Sequence, residues 1–210
     1  MPTKRFDNID PERRRKILDA AQAEFTQKGF GKASLNRIIE AAGISKGSLY
    51  YYFEDKTDLY LTVLENVVME VFQKLGGIAH GKFTEDFWSD WENYCKKTAH
   101  LSYENPDIVS LYRELLHLSR NKEMSLVVNE FINKGKVVFT EIIQHGQEIG
   151  VVRKDIALEL LVNVLFSIGE AIDYWMIERW DEFSPEEIEK TILLYTDMCR
   201  KIAGSETVKG

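Results

Sequence analysis

The sequence predicts an all-α protein of about nine helices, in which a three-helix N-terminal head is joined by a fourth helix to a larger helical body. Three observations carry this prediction. Apolar residues recur at helical spacing in nearly every segment, and no segment alternates long enough to make a strand. With 4 Pro and 13 Gly in 210 residues, the chain is too sparing in turn residues for a many-stranded β sandwich. At 44% hydrophobic and 29% charged it is too apolar to be disordered. Its length suffices to bury roughly 70% of the surface exposed on unfolding.

The first helix starts with Asp10 as N-cap and Pro11 at the first helical position, where a missing N–H costs nothing. Ile17, Ala21 and Phe25 give it one buried stripe, and Gly29 ends it. Arg13, Arg14, Arg15 and Lys16 crowd its first turns against the helix dipole and call for an external anion. Ser34 caps a second helix with Leu35, Ile38, Ile39 and Ala42 facing inward, closed by Gly43. Ser45 caps a third, Lys46 to Phe53, whose Leu49, Tyr50 and Phe53 are assigned to the core, with Tyr51 and Tyr52 on its flanks. Helix, glycine-opened turn and second short helix make a helix-turn-helix. Asp55 caps the fourth helix, which carries Leu59, Val63, Val67 and Val71 on one face and ends at Gly76 and Gly77.

Five more helices follow. They run from about Glu85 to Tyr103, from Pro106, from about Glu123 to Glu148, from Ile156 to Trp180 behind an Asp155 cap, and from Ser184 to about Ala203. Glu187 stands at the capping-box position of the last. The expected organisation is a head of residues 1–56, a body of residues 57–205 and a frayed tail of residues 206–210.

Charge divides the chain in the same place. Residues 1–56 carry a net +3 and residues 57–210 a net −10. Fields are screened beyond about 8–10 Å at working salt, so a basic head can hold a polyanion although the whole chain carries −7. Two cysteines far apart, Cys95 and Cys199, exclude a disulfide framework and a zinc-ligand spacing. The early residues hold no secretory signal, and no window of about 20 apolar residues is found. The expectation is a soluble, cytoplasmic protein away from membranes, with no metal and no cofactor.

The segment from Ala33 to Leu59, reading ASLNRIIEAAGISKGSLYYYFEDKTDL, resembles the DNA-binding segment of TetR-family transcriptional regulators. The resemblance extends over about residues 12–60, including Phe25 and the Gly29-Phe30 pair. It implies that Ser34, Ser45, Lys46, Gly47, Ser48, Tyr51, Tyr52 and Lys56 match positions where the family meets double-stranded DNA, and that Tyr50 matches a position that packs and sometimes also touches the DNA backbone. The residues themselves suit that chemistry. A groove-entering helix reads bases near its N-terminus, where Ser45, Lys46, Gly47 and Ser48 stand. Gly47 costs a helix about 1 kcal/mol relative to Ala, which close approach to a phosphate or base edge would justify. Lys46 can reach guanine O6/N7 or a phosphate. Lys56 sits where it can clamp a phosphate beside free helix N–H groups.

One short recognition helix covers few base pairs, so family and physics both imply a homodimer on a palindromic operator. The penultimate helix is apolar on more faces than one subunit needs, and small Gly169 and Ala171 are expected at the dimer contact. Its polar stripe of Asn163, Ser167, Glu170 and Tyr174 must face solvent, a partner or a cavity. Trp88, Trp91, Tyr94, Tyr112, Phe139 and Phe166 supply aromatic surface for such a cavity. With Glu170 and Tyr174 they make the expected site of a small, largely apolar effector, and an ionised Glu170 would favour a cationic or hydrogen-bond-donating ligand. The family's usual outcome is repression relieved by a small molecule. Two rivals stand beside this reading. One is a dimeric ligand-binding or scaffold protein without DNA binding. The other is a metal-dependent bundle enzyme built on Glu114-Leu-Leu-His117, which lacks the second Glu-x-x-His such bundles need.

Overall fold

A computed structural model describes residues 4–74, 83–84, 86–122 and 125–205. The helices are α1 (Lys4–Asp7), α2 (Pro11–Lys32), α3 (Leu35–Ala42), α4 (Lys46–Tyr52), α5 (Lys56–Lys74), α6 (Phe87–Glu104), α7 (Pro106–Ser119), α8 (Ser125–Glu148), α9 (Leu158–Ile177) and α10 (Pro185–Ala203). A 3₁₀ turn at Trp180–Glu182 joins the last two. The all-α architecture is thus as expected, with one short helix more at the N-terminus. Among the described residues the only extended pairing is a single bridge between Val152 and Gly204. The anticipated ends at Gly76 and Gly77, the starts at Glu85 and Glu123, and the tail 206–210 lie outside the described residues.

Most boundaries follow from the caps read in the sequence. Asp10, Ser34, Ser45 and Ser184 each accept a hydrogen bond from the backbone N–H three residues on, and Ser184 with Glu187 closes a full capping box. Two expectations change. Gly29 does not end α2 but kinks it: at φ 69° it takes a left-handed turn, after which one more helical turn runs to Lys32. Asp155 does not cap α9. Its carboxylate is held by the Arg153 guanidinium, which keeps its pKa below the ordinary range, and α9 begins two residues past the expected start.

Two cores divide the molecule. The first gathers Phe6, Ile17, Leu18, Phe25, Ile38, Leu49, Phe53 and Leu59, and extends into α7 through Leu111 and Leu115. Tyr60, buried on α5, donates its hydroxyl to the Leu111 carbonyl at 2.8 Å and so ties head to body. The second core packs α6 and α8 against α9 and α10 around Phe87, Trp91, Ile143, Leu161 and Leu165. Against expectation, α9 is by length and composition apolar enough to cross a bilayer. It nonetheless carries Glu159, Asn163, Glu170 and Asp173, and its Leu161, Val162, Leu165, Met176 and Ile177 are buried within the protein.

Candidate nucleic-acid interface and body

The turn between α3 and α4 is set by two residues. Gly43, at φ 64°, occupies the left-handed position that ends α3 and returns its N–H to Ile39 and Glu40. Ser45 then opens α4: its Oγ accepts from the Ser48 N–H at 3.0 Å and lies 2.9 Å from the Ser48 Oγ. Leu49 and Phe53 anchor the inner face of this helix. Outside lie Ser45, Lys46, Gly47, Tyr50 and Tyr51, an open polar-aromatic surface at the leading end of the helix.

Within that surface the tyrosines differ from expectation. Tyr50 and Tyr51 are 50% and 52% exposed, whereas Tyr52 is only 7% exposed. Tyr52 packs on Phe6 of α1 with ring centroids 5.8 Å apart, so Tyr50, not Tyr52, is the second outward phenol. Arg5 covers the Tyr51 ring at 4.5 Å and Lys46 stands 5.9 Å from the Tyr50 ring. Both cations therefore border the outer face of α4. A Cβ on Gly47 would meet only the Ser45 Oγ at 3.9 Å, an ordinary contact. Nothing inside the protein requires glycine there.

The basic cluster on α2 is partly satisfied within the chain. Lys16 pairs with Glu12 at 2.8 Å, Arg15 with Asp19 at 3.6 Å, and Arg13 donates to the Ser48 Oγ at 3.4 Å. The expected demand for an outside anion is correspondingly weaker. Ser34 is half-buried: its N–H donates to Glu24 at 2.9 Å, and Glu24 in turn receives Arg37. That guanidinium holds the Glu24 carboxyl below its ordinary pKa. The Lys56 ammonium donates to the Gly31 and Ala33 carbonyls at 3.3 and 3.4 Å and lies 4.6 Å from the Phe30 ring. It staples the end of α2 to the start of α5.

The eight body residues do not form one cluster. Trp91, Phe139 and Phe166 make a run of edge contacts at 5.3 and 5.7 Å. Trp88 stands a ring further out against Phe87, and Tyr94 lies 6.4 Å from Phe83. Tyr174 is covered by the Arg120 guanidinium at 3.5 Å, and Glu170 is exposed. Tyr112 donates to Asp173 at 3.0 Å, a carboxylate the sequence reading had passed over. Gly169 does not face outward as expected: a Cβ there would come within 3.2 Å of the Tyr195 hydroxyl, so its smallness lets α10 approach α9 within the protomer. Ala171, by contrast, is exposed. The rival metal reading finds little support in geometry. His117 lies 2.6 Å from Glu178 rather than beside Glu114, and among the described residues no three His, Cys, Asp or Glu side chains converge.

A helix-turn-helix with an exposed outer face on α4 is thus mounted on a larger helical body. The family model for bacterial regulatory proteins of the tetR family matches residues 17–63, the segment that holds the helix-turn-helix. The chain is 27% identical over 175 residues to the HTH-type transcriptional repressor KstR2 of Rhodococcus jostii, covering 80% of this chain and 79% of that one. It is 32% identical over 108 residues to the HTH-type regulator YvdT of Bacillus subtilis, where the chain spans only 55% of the relative's length. Among solved structures, FadR of Bacillus subtilis in complex with stearoyl-CoA superposes with a TM-score of 0.69 at 16% identity, over 88% of this chain and 96% of that one. At that identity the likeness is one of fold.

Proposed function

We propose that the protein is a homodimeric repressor that holds a palindromic operator with two heads and releases it when a small molecule enters the body. The outward face of α4 carries this reading: Ser45, Lys46, Gly47, Tyr50 and Tyr51 stand free of the core. Ser45, Lys46 and the backbone at Gly47 reach base edges or phosphates, Tyr50 and Tyr51 donate to phosphates, and Ser34, Ser48 and Lys56 frame them. Residues 1–56 act as the head and residues 57–205 as the body, in the cytoplasm.

The dimer reading draws on α9 and α10. Leu160, Val164, Ala171 and Trp175 follow one another along an exposed stripe of α9, with Leu160 58% and Trp175 46% exposed. Leu194, 57% exposed, continues the apolar surface on α10. Contiguous apolar surface of this kind marks an association site, and a two-fold four-helix contact would bury it. The KstR2 name describes a repressor and FadR was solved with a small-molecule ligand, which favours the same outcome here. Selection of the purified protein against random duplexes tests the proposal. An enriched inverted repeat with half-sites about one helical turn apart is expected; enrichment of no sequence at low salt would refute it.

A further inference from the structure

The outer face of α4 is not furnished by α4 alone. That helix, KGSLYYY in sequence, carries one cation, Lys46. A second reaches the same face from α1. Phe6 of α1 is fully buried, its ring centroid 4.6 Å from that of Phe53 and 5.8 Å from that of Tyr52. The Arg14 guanidinium closes over the Phe6 ring at 5.5 Å. Burial of so large an apolar ring anchors α1 to the recognition helix.

Arg5, next to Phe6 in sequence, is thereby carried to the outside. Its side chain is exposed, and its guanidinium lies 4.5 Å from the centroid of the half-exposed Tyr51 ring. Other cations of the head are answered by carboxylates: Lys16 by Glu12, Arg15 by Asp19, Arg37 by Glu24. Arg5 is not. Among the described residues it has no ion-pair partner, although the exposed Asp7 stands two residues on. A ring contact orders the guanidinium without cancelling its charge. Such a group, with its planar fork of donors, suits the paired oxygens of a phosphate.

Its position agrees with that chemistry. Base edges are met by the first residues of a groove-entering helix. Tyr51 stands more than a turn beyond Lys46, about 8 Å along the axis at about 1.5 Å per residue. A side chain placed there passes the sugar–phosphate edge of the groove rather than the base pairs.

We propose that α1 is part of the DNA interface. Arg5, anchored through Phe6 and laid against Tyr51, receives a backbone phosphate at the edge of the groove that α4 enters. α1 precedes the segment matched by the family model, residues 17–63, so this contact is additional to those the resemblance implies. The inference rests on the head binding DNA and adds a residue to that surface.

The test measures binding of the full-length protein over a range of salt to two duplexes, one enriched from random sequences and one scrambled from it. Arg5→Ala is expected to weaken both by the same factor, about five- to tenfold, because a phosphate contact carries no sequence information. It should also lower the slope of log affinity against log salt by about one for each head bound. Arg5→Lys should recover the slope and most of the affinity. The melting temperature of Arg5→Ala should stay within about two degrees of the parent, as befits an exposed side chain. Should it fall further, Arg5→Gln, which keeps a polar stem beside Tyr51 and loses the charge, replaces it with the same changes expected. An unchanged slope overturns the proposal, and so does a loss confined to the enriched duplex. A parent protein that binds neither duplex refutes the regulatory reading and this one with it. If the parent binds and Arg5→Ala binds equally well, this inference alone falls.

Discussion

Head and body differ in what they turn outward. The head is apolar within, around Phe6, Ile17, Ile38, Leu49 and Phe53, and presents hydroxyls, a lysine and phenols outward on α4. The body is also apolar within, around Phe87, Trp91, Leu161 and Leu165, but shows leucine, valine and tryptophan outward along α9 and α10. A region of the first kind is complete as a folded unit and lacks only a polyanion. On the proposed reading, one of the second kind awaits a second copy of the chain against its outer face.

The largest effect should come from denying the body that second copy. Ala171→Arg places a charge in the exposed apolar stripe of α9 without disturbing the core. The protein should run as a monomer on a sizing column with light scattering, and operator affinity should fall at least a hundredfold, because two linked heads bind far more tightly than one. A dimer that persists would move the interface away from α9.

Next in size is a contrast within three consecutive tyrosines. Tyr52→Ala removes a ring packed on Phe6 and should cost about 3–5 kcal/mol in urea unfolding. Tyr50→Ala, two residues earlier and half-exposed, should stay within about 0.5 kcal/mol of the parent yet weaken DNA binding. Equal stability losses would show that the outward and inward faces of α4 have been exchanged. Smaller again is Lys46→Ala. It should weaken operator binding about tenfold and, if its ammonium meets a phosphate, lower the slope of log affinity against log salt by about one. An unchanged slope with altered sequence preference would place Lys46 on a base edge.

The tyrosine contrast also shows how far the sequence could be read. The helix-turn-helix was legible because its devices are local: Gly43 in the left-handed turn, Ser34 and Ser45 as caps, all within a few residues of the helices they shape. The phase of α4 was not. A seven-residue helix with Tyr50, Tyr51 and Tyr52 in a row has too short a period to reveal which ring turns inward, and the choice is made by Phe6 on α1, some forty-five residues away in sequence. Asp173 escaped for a similar reason. On an apolar helix the polar stripe through Asn163, Ser167 and Glu170 attracts notice, yet which polar residue meets α7 is fixed by where that helix packs. Gly169 was legible as a close-approach residue, but its neighbour proved to be Tyr195 of the same protomer.

The smallest expected effect falls on Asp173 of the body, which accepts a hydrogen bond from Tyr112. Asp173 has a carboxyl raised to about 6 in the folded protein, against about 3.9 for an unperturbed aspartate once the chain unfolds. Above about pH 6 both states are ionised, and the folded state alone bears the cost of desolvation. Below about pH 4 both are protonated and that cost disappears. Asp173→Asn keeps an acceptor for the Tyr112 hydroxyl and removes the charge; because solvent reaches this exposed carboxylate and screens it, the melting temperature should rise by no more than about a degree or two at pH 7.5. The gain should shrink through the interval from pH 6 to pH 4 and vanish at its lower end. A variant less stable than the parent at pH 7.5 would mean that the folded protein already supplies Asp173 with a countercharge.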